Sequence, residues 1–128
     1  NKAHHLIYQL EKQMKENARL YHSSPLGVRF VKRSKAFLAV EYERDVAYMD
    51  TPFLLRTKGT ETMLERCQQI MFENGGIPHW GKSNSILDGK SDFLEATYPM
   101  LDKWKAALQK FNPSGSFNNH FMERTGLV

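Results

Sequence analysis

Arg29, His79 and Lys82 are the residues of this chain whose types and settings best suit chemistry. The last two stand in the stretch Gly75-Gly76-Ile77-Pro78-His79-Trp80-Gly81-Lys82, which joins a helix stop, a rigid proline, an indole, an imidazole and an ammonium. A loop that only connects elements rarely needs those three side chains together, and binding chemistry concentrates on loops held by a rigid scaffold. Pro78 fixes the backbone before His79, and Gly81 lets the chain turn so that Lys82 projects separately. A lysine there can polarise a hydroxyl or stabilise an anion, and a histidine can relay a proton. The plain alternative is that Trp80 plugs the edge of the core while both charged groups are solvated. Arg29 lies on the strand face opposite Val28 and Phe30. If covered, that cation needs a partner or a ligand; if not, it is an ordinary surface arginine.

The elements that must position these residues follow from periodicity. From about His4 to Tyr21, Leu6, Ile7, Leu10, Met14, Ala18 and Tyr21 recur at helical spacing. After Ser23-Ser24-Pro25 the period becomes two, and Leu26, Val28 and Phe30 are expected to face inward from a half-buried strand. Further strands are expected near Ala36 to Tyr42 and Val46 to Phe53, joined by turns short enough for an antiparallel meander. A second helix is expected from about Thr60, as N-cap, to Glu73, with Met63, Leu64, Cys67, Ile70 and Met71 inward and Asn74-Gly75-Gly76 as its stop. A helical turn is expected near Asp92 to Ala96. Pro99 suits the start of a last helix, whose stripe is Leu101, Trp104, Leu108 and Phe111. Tyr98, Trp104, Phe111 and Phe117 are therefore assigned to structure. The tail from Ser114 to Phe121 is turn-like, yet its two phenylalanines call for a docking surface. The fold class expected is α+β: an antiparallel sheet of about three strands with helices packed on one face.

Composition narrows the functional classes. The 128 residues suit one domain, and 41% apolar with 25% charged residues describe a globular chain. No apolar run approaches the roughly 20 residues of a membrane helix, and no signal-peptide pattern follows Asn1. The single cysteine, Cys67, excludes an internal disulfide and a cysteine metal cage, and its helical apolar setting suits a buried thiol. His4 and His5 are adjacent and cannot share a helix face, so no metal site is expected. The net charge of +4 is mild, and the Lys32, Arg33, Lys35 cluster suits a solvated turn better than nucleic acid. There is no phosphate-binding glycine loop, nucleophile elbow, paired-histidine zinc motif or dinucleotide cradle. Any redox cofactor would have to be held mainly by residues outside this sequence.

Taken in order, the motifs resemble the C-terminal portion of the sugar-lactone oxidases, the L-gulonolactone and D-arabinonolactone oxidase group of the vanillyl-alcohol oxidase-like flavoproteins. Pro25-Leu26-Gly27-Val28-Arg29-Phe30 resembles the strand that carries the family's acid-x-arginine pair. Arg44-Asp45-Val46-Ala47-Tyr48-Met49 resembles a later strand, and Gly75 to Lys82 resembles the family's Gly-Gly-x-Pro-His-Trp-x-Lys loop. Tyr98-Pro99 and Asn112-Pro113-Ser114-Gly115-Ser116-Phe117-Asn118-Asn119 resemble the final helix and tail. The resemblance implies an FAD-dependent oxidoreductase acting on a CH-OH group of a sugar lactone, polyol or related alcohol. Residues 1–98 would belong to a cap over the flavin, and residues 99–128 would return to an N-terminal flavin domain absent from this chain. The isolated piece would be inactive and prone to self-association through exposed apolar surface. A cytoplasmic or membrane-associated location is implied by the family alone. Carried over by position, Arg29, Lys82 and His79 are the expected catalytic residues and Asn119 the expected cofactor contact. One departure stands out: Gly27 replaces the family's usual glutamate, which removes a partner for Arg29 and suggests a bulkier or more acidic substrate. The reading from a different class is a non-catalytic binding module with a cap-like α+β fold.

Overall fold

The computed structural model describes residues 2–17 and 22–128. In chain order the described elements are α1 (Lys2–Glu16), β1 (Gly27–Val31), β2 (Val46–Asp50), α2 (Thr60–Glu73), a 3-10 turn (Ser85–Leu87), α3 (Ser91–Thr97), α4 (Leu101–Phe111) and α5 (His120–Thr125). The arrangement is α+β, with β1 and β2 paired in an antiparallel sheet. By backbone contacts it divides into two compact units: Asn1–Val31 with Ala47–Lys82, and Lys32–Val46 with Ser83–Val128.

The core of the first unit forms where α1 meets α2. Leu10, Met63 and Cys67 are each only 1% exposed, and Met14, Leu26, Met49, Phe53, Ile70 and Met71 pack around them. Full burial of side chains such as Leu10 and Met63 contributes about 1.5–3 kcal/mol each. Met49 brings one face of β2 into this core, so the two helices cover that side of the strand. Within α1 the expected helix is present to Glu16, and its predicted continuation through Ala18 and Tyr21 lies outside the described residues. Cys67 is buried as expected, and burial pushes its thiol up to about 11, so it stays protonated at neutral pH.

Several expectations are corrected here. Leu26 does pack on the core, but Val28 and Phe30 are 40% and 82% exposed. The ladder has only two strands, and no described layer covers that part of β1. Thr60 is the first helical residue of α2 rather than its N-cap, because Gly59 takes the cap position in the left-handed conformation at φ 85°. The Thr60 hydroxyl instead donates to the Leu54 carbonyl at 3.1 Å. The predicted stop is present in full. Gly75 adopts φ +78°, its N–H donates to the Phe72 carbonyl at 2.9 Å, and the Gly76 N–H donates to the Met71 carbonyl at 2.8 Å. Those two bonds are a Schellman closure, which satisfies carbonyls that the helix end leaves open.

In the second unit, the segment expected as a strand near Ala36 to Tyr42 is a run of turns. The Ala39 N–H donates to the Ala36 carbonyl and the Tyr42 N–H to the Ala39 carbonyl, both at 3.0 Å, so these groups serve local turns instead of a ladder. What remains of pairing is one isolated bridge between Ser34 and Tyr42. In the apolar run Phe37-Leu38-Ala39-Val40 only Val40 is buried, and Phe37 is exposed. Leu87, Leu94, Tyr98, Leu101, Met122 and Leu127 are buried. The expected stripe of α4 is true of Leu101 but fails at its far end, where Phe111 is 73% exposed. The tail docks through Met122, Thr125 and Leu127, whereas Phe117 points outward. Arg124 fastens it further, donating to the carboxylate of Asp88 and to the side-chain oxygen of buried Asn84.

Candidate functional site

β2 organises the candidate site because its side chains alternate. With Met49 turned into the core, Tyr48 and Asp50 share the other face. Asp50 meets β1 there: its Oδ2 accepts from the Arg29 Nη2 at 3.3 Å. Tyr48 meets the loop after α2, its ring standing edge-on to His79 with centroids 6.0 Å apart and planes at 64°. One strand face thus gathers Arg29 from β1 and His79 from the loop, a juxtaposition that spacing alone does not reveal.

The loop itself is held from both ends. The Schellman closure anchors its start, and a Cβ on Gly76 would come within 2.7 Å of the Met71 carbonyl oxygen, which is why no larger residue fits that approach. At its far end the Lys82 N–H donates to the His79 carbonyl at 3.2 Å, and the Gly81 N–H donates to His79 Nδ1 at 3.0 Å. In the neutral ring that second bond occupies the Nδ1 lone pair, so the proton resides on Nε2. His79 is then a hydrogen-bond donor through Nε2. Both His79 and Lys82 are exposed and Trp80 is half-buried. The loop presents its cationic end on a hydrogen-bonded turn.

Arg29 is an exposed strand arginine with a partner. Its side chain is 75% exposed and that of Asp50 48%, a setting in which an ion pair contributes only about 0–1 kcal/mol to stability. Arg29, His79 and Lys82 all belong to the first unit. Asn119 belongs to the second, where it caps α5: its Oδ1 accepts the Met122 N–H at 3.1 Å and its amide donates to the Phe117 carbonyl at 3.4 Å. The residues missed at the sequence level are Asp50 and Tyr48. The alternation of the third expected strand was enough to put them on one face, but not to name their partners.

A cleft of about 360 Å³ lies in the second unit, lined by Lys105, Leu108, Asn112, Asn118 and Leu127 among others, and none of Arg29, His79 or Lys82 borders it. Its side chains are mostly engaged in holding the tail: Lys105 donates to the Gly126 carbonyl at 3.1 Å, and Asn112 donates to Asn118 at 2.8 Å. The exposed face of β2 is the stronger candidate. Among the described residues no cluster of three His, Cys, Asp or Glu side chains could hold a metal ion.

The family model described as D-arabinono-1,4-lactone oxidase matches residues 1–125. The chain belongs to this family. It is 33% identical over 123 residues to an L-gulonolactone oxidase of Scyliorhinus torazame, a match covering 93% of this chain and 27% of that protein. An L-gulonolactone oxidase of Bos taurus is 28% identical, covering 92% of this chain and 27% of the relative. An alditol oxidase of a Streptomyces species is 26% identical, covering 74% of this chain and 22% of the relative. The chain therefore spans about a quarter of the length of these relatives. No solved structure shows a significant match. The relatives are thus a lactone oxidase and an alditol oxidase by name. Among the described residues no helix is long and apolar enough to cross a membrane.

A flavin dinucleotide needs several backbone N–H groups aimed together at its phosphates, as at a glycine-rich turn opening a helix. The left-handed glycines here, Gly59, Gly75, Gly89, Gly115 and Gly126, stand singly at separate turns and helix ends. Both polar atoms of the Asn119 side chain are engaged in its own tail. The described residues do not form a cradle for such a group.

Proposed function

We propose that this chain is the C-terminal part of an FAD-dependent oxidoreductase that oxidises a CH-OH group of a sugar lactone, alditol or related alcohol. In that reading residues 1–98 belong to a substrate-binding cap, residues 99–128 return to the flavin domain, and the chain alone is inactive. FAD would be the electron acceptor, held mainly by sequence outside these residues. The quarter-length span of the relatives supports the assignment. So do the relatives themselves, a lactone oxidase and an alditol oxidase.

The observation that carries the site is the convergence of Arg29 and His79 on one face of β2, next to the loop end bearing Lys82. Arg29 would bind and orient substrate oxygens, its charge matching the negative charge that an oxygen gains as its proton leaves. Lys82 would donate to the reacting hydroxyl, a charge-assisted contact of about 1.5–3 kcal/mol. His79 would orient an oxygen beside it through Nε2 or, with Nδ1 released by the Gly81 N–H, relay the proton of the oxidised hydroxyl to solvent. A flavin-side contact by Asn119 would require release of its Phe117 bond, the longer of its two.

The test uses the full-length enzyme under anaerobic conditions. Rapid mixing with a lactone and with an alditol should bleach the flavin absorbance, and Arg29→Ala should slow that bleaching at least tenfold without lowering the thermal midpoint. Unchanged bleaching in the variant would remove Arg29 from the site, and no bleaching by either substrate class would overturn the assignment.

A further inference from the structure

We infer that Asp50 is the acid that accompanies Arg29, supplied from the facing strand over Gly27, and that the pair selects neutral hydroxyl-bearing substrates against anionic ones. The inference rests on the proposed placement of Arg29 at the substrate. Its starting point is the space at Gly27. A Cβ built there would stand 3.6 Å from the Asp50 Cβ and 3.8 Å from its Oδ2, ordinary contact distances. Gly27 is not among the left-handed glycines, so the backbone does not demand glycine at this position. The effect of the missing side chain is local: the Asp50 carboxylate lies beside the place where a residue-27 side chain would project, and from there reaches Arg29 at 3.3 Å. A carboxylate accompanies the guanidinium without an acidic residue on the arginine's own strand.

The chemistry follows from counting donors and acceptors. A guanidinium has five N–H donors and a carboxylate about four acceptor sites, and their single contact leaves most of both open toward solvent. Side by side they match a hydroxyl that must both accept and donate, or two neighbouring hydroxyls. Their charges cancel. A carboxylate-bearing substrate, which would be drawn to an unpaired arginine, meets the Asp50 charge instead. Because both side chains are so exposed, the pair adds little to folding, and Asp50 can be changed with small structural effect. This reverses the more acidic substrate suggested by Gly27 when only the sequence of β1 is considered.

The experiment compares Asp50→Asn, the relocated pair Gly27→Glu with Asp50→Asn, and Arg29→Ala in the full-length enzyme. Readouts are KM and kcat for a neutral alditol or lactone, the inhibition constant of the matching aldonate, and the thermal midpoint. Asp50→Asn should raise KM for the neutral substrate about tenfold and tighten aldonate inhibition by a similar factor, the scale of one charge-assisted hydrogen bond, with kcat changed far less. The relocated acid should restore weak aldonate binding. Unchanged KM and inhibition in Asp50→Asn, while Arg29→Ala abolishes turnover, would overturn the role of Asp50 and leave the site intact. A loss explained by a lower thermal midpoint, or no recovery in the relocated pair, would overturn it as well. Full turnover in Arg29→Ala would instead bring down the site reading on which the inference stands.

Discussion

The loop after α2 and the turn after α4 both begin at an asparagine and both carry a left-handed glycine, yet they handle their polar groups in opposite ways. Between Gly75 and Lys82 the backbone is fastened by its own carbonyls and by one ring nitrogen, and the cationic end is left in solvent. Between Asn112 and Asn118 the side chains themselves are the fastening. Buried Asn112 donates to Asn118, and its oxygen accepts the Phe117 N–H at 3.0 Å. The first arrangement leaves the Lys82 side chain in solvent, and the second uses side-chain groups up in holding shape. Equally suggestive motifs in a sequence can therefore differ in kind, and the difference lies in which atoms close the turn.

Substitutions can break this contrast. Lys82→Met should lower turnover of the full-length enzyme about 10- to 150-fold, equivalent to ~1.5–3 kcal/mol, with the thermal midpoint unchanged because the side chain is exposed. Steady-state rates set against a melting curve check both halves. Asn112→Ala should do the reverse. Leaving the Phe117 N–H without its side-chain acceptor is expected to cost about 1–3 kcal/mol in denaturant unfolding, with turnover per folded molecule kept near wild type. If Asn112→Ala removed turnover from fully folded protein, the second turn would also belong to the site.

Gly76→Ala probes the frame of the first loop. The added methyl meets a backbone oxygen, which cannot swing aside as a side chain would, so a loss of about 1–2 kcal/mol is expected on the scale of overpacking. Hydrogen exchange at the Gly76 amide would show the closure loosening, and protection equal to wild type would mean the helix end absorbs the methyl.

The smallest effect expected is a pH dependence in the first unit. His22 stacks on Phe53 with centroids 5.1 Å apart, and burial pushes its ring below the usual histidine range. The unfolded chain then takes up a proton first as pH falls. Stability is full above about pH 6.5, declines as pH drops through that value, and levels off once the native ring is itself protonated. His22→Phe should keep the stack and flatten the profile of melting midpoint against pH; an unchanged slope would assign it to other groups.

What was legible in the sequence was what depends on near neighbours. The stop at Asn74-Gly75-Gly76 follows from local backbone rules, and the Cys67 face of α2 from helical spacing. The segment near Ala36 to Tyr42 failed because a short apolar run has no intrinsic period, and its backbone groups found partners three residues away instead of on another strand. Val28 and Phe30 were expected inward from alternation, which identifies two faces without saying which is covered. Arg29 was a visible candidate, but its partner was not. Asp50 lies across the ladder, and its position beside Gly27 depends on register, which no single strand contains.

Cys67 also gives the molecule a clock. Its thiol is enclosed by the α1–α2 core and remains protonated at neutral pH, so an alkylating reagent in solution can attack it only after that core has opened. As the sole cysteine of these 128 residues, it records each opening of this core as a label that peptide mapping assigns to Cys67, with no substrate or cofactor needed to read it. Labelling rates at Cys67 can thus rank the Gly76 and His22 variants by how often their shared core breathes.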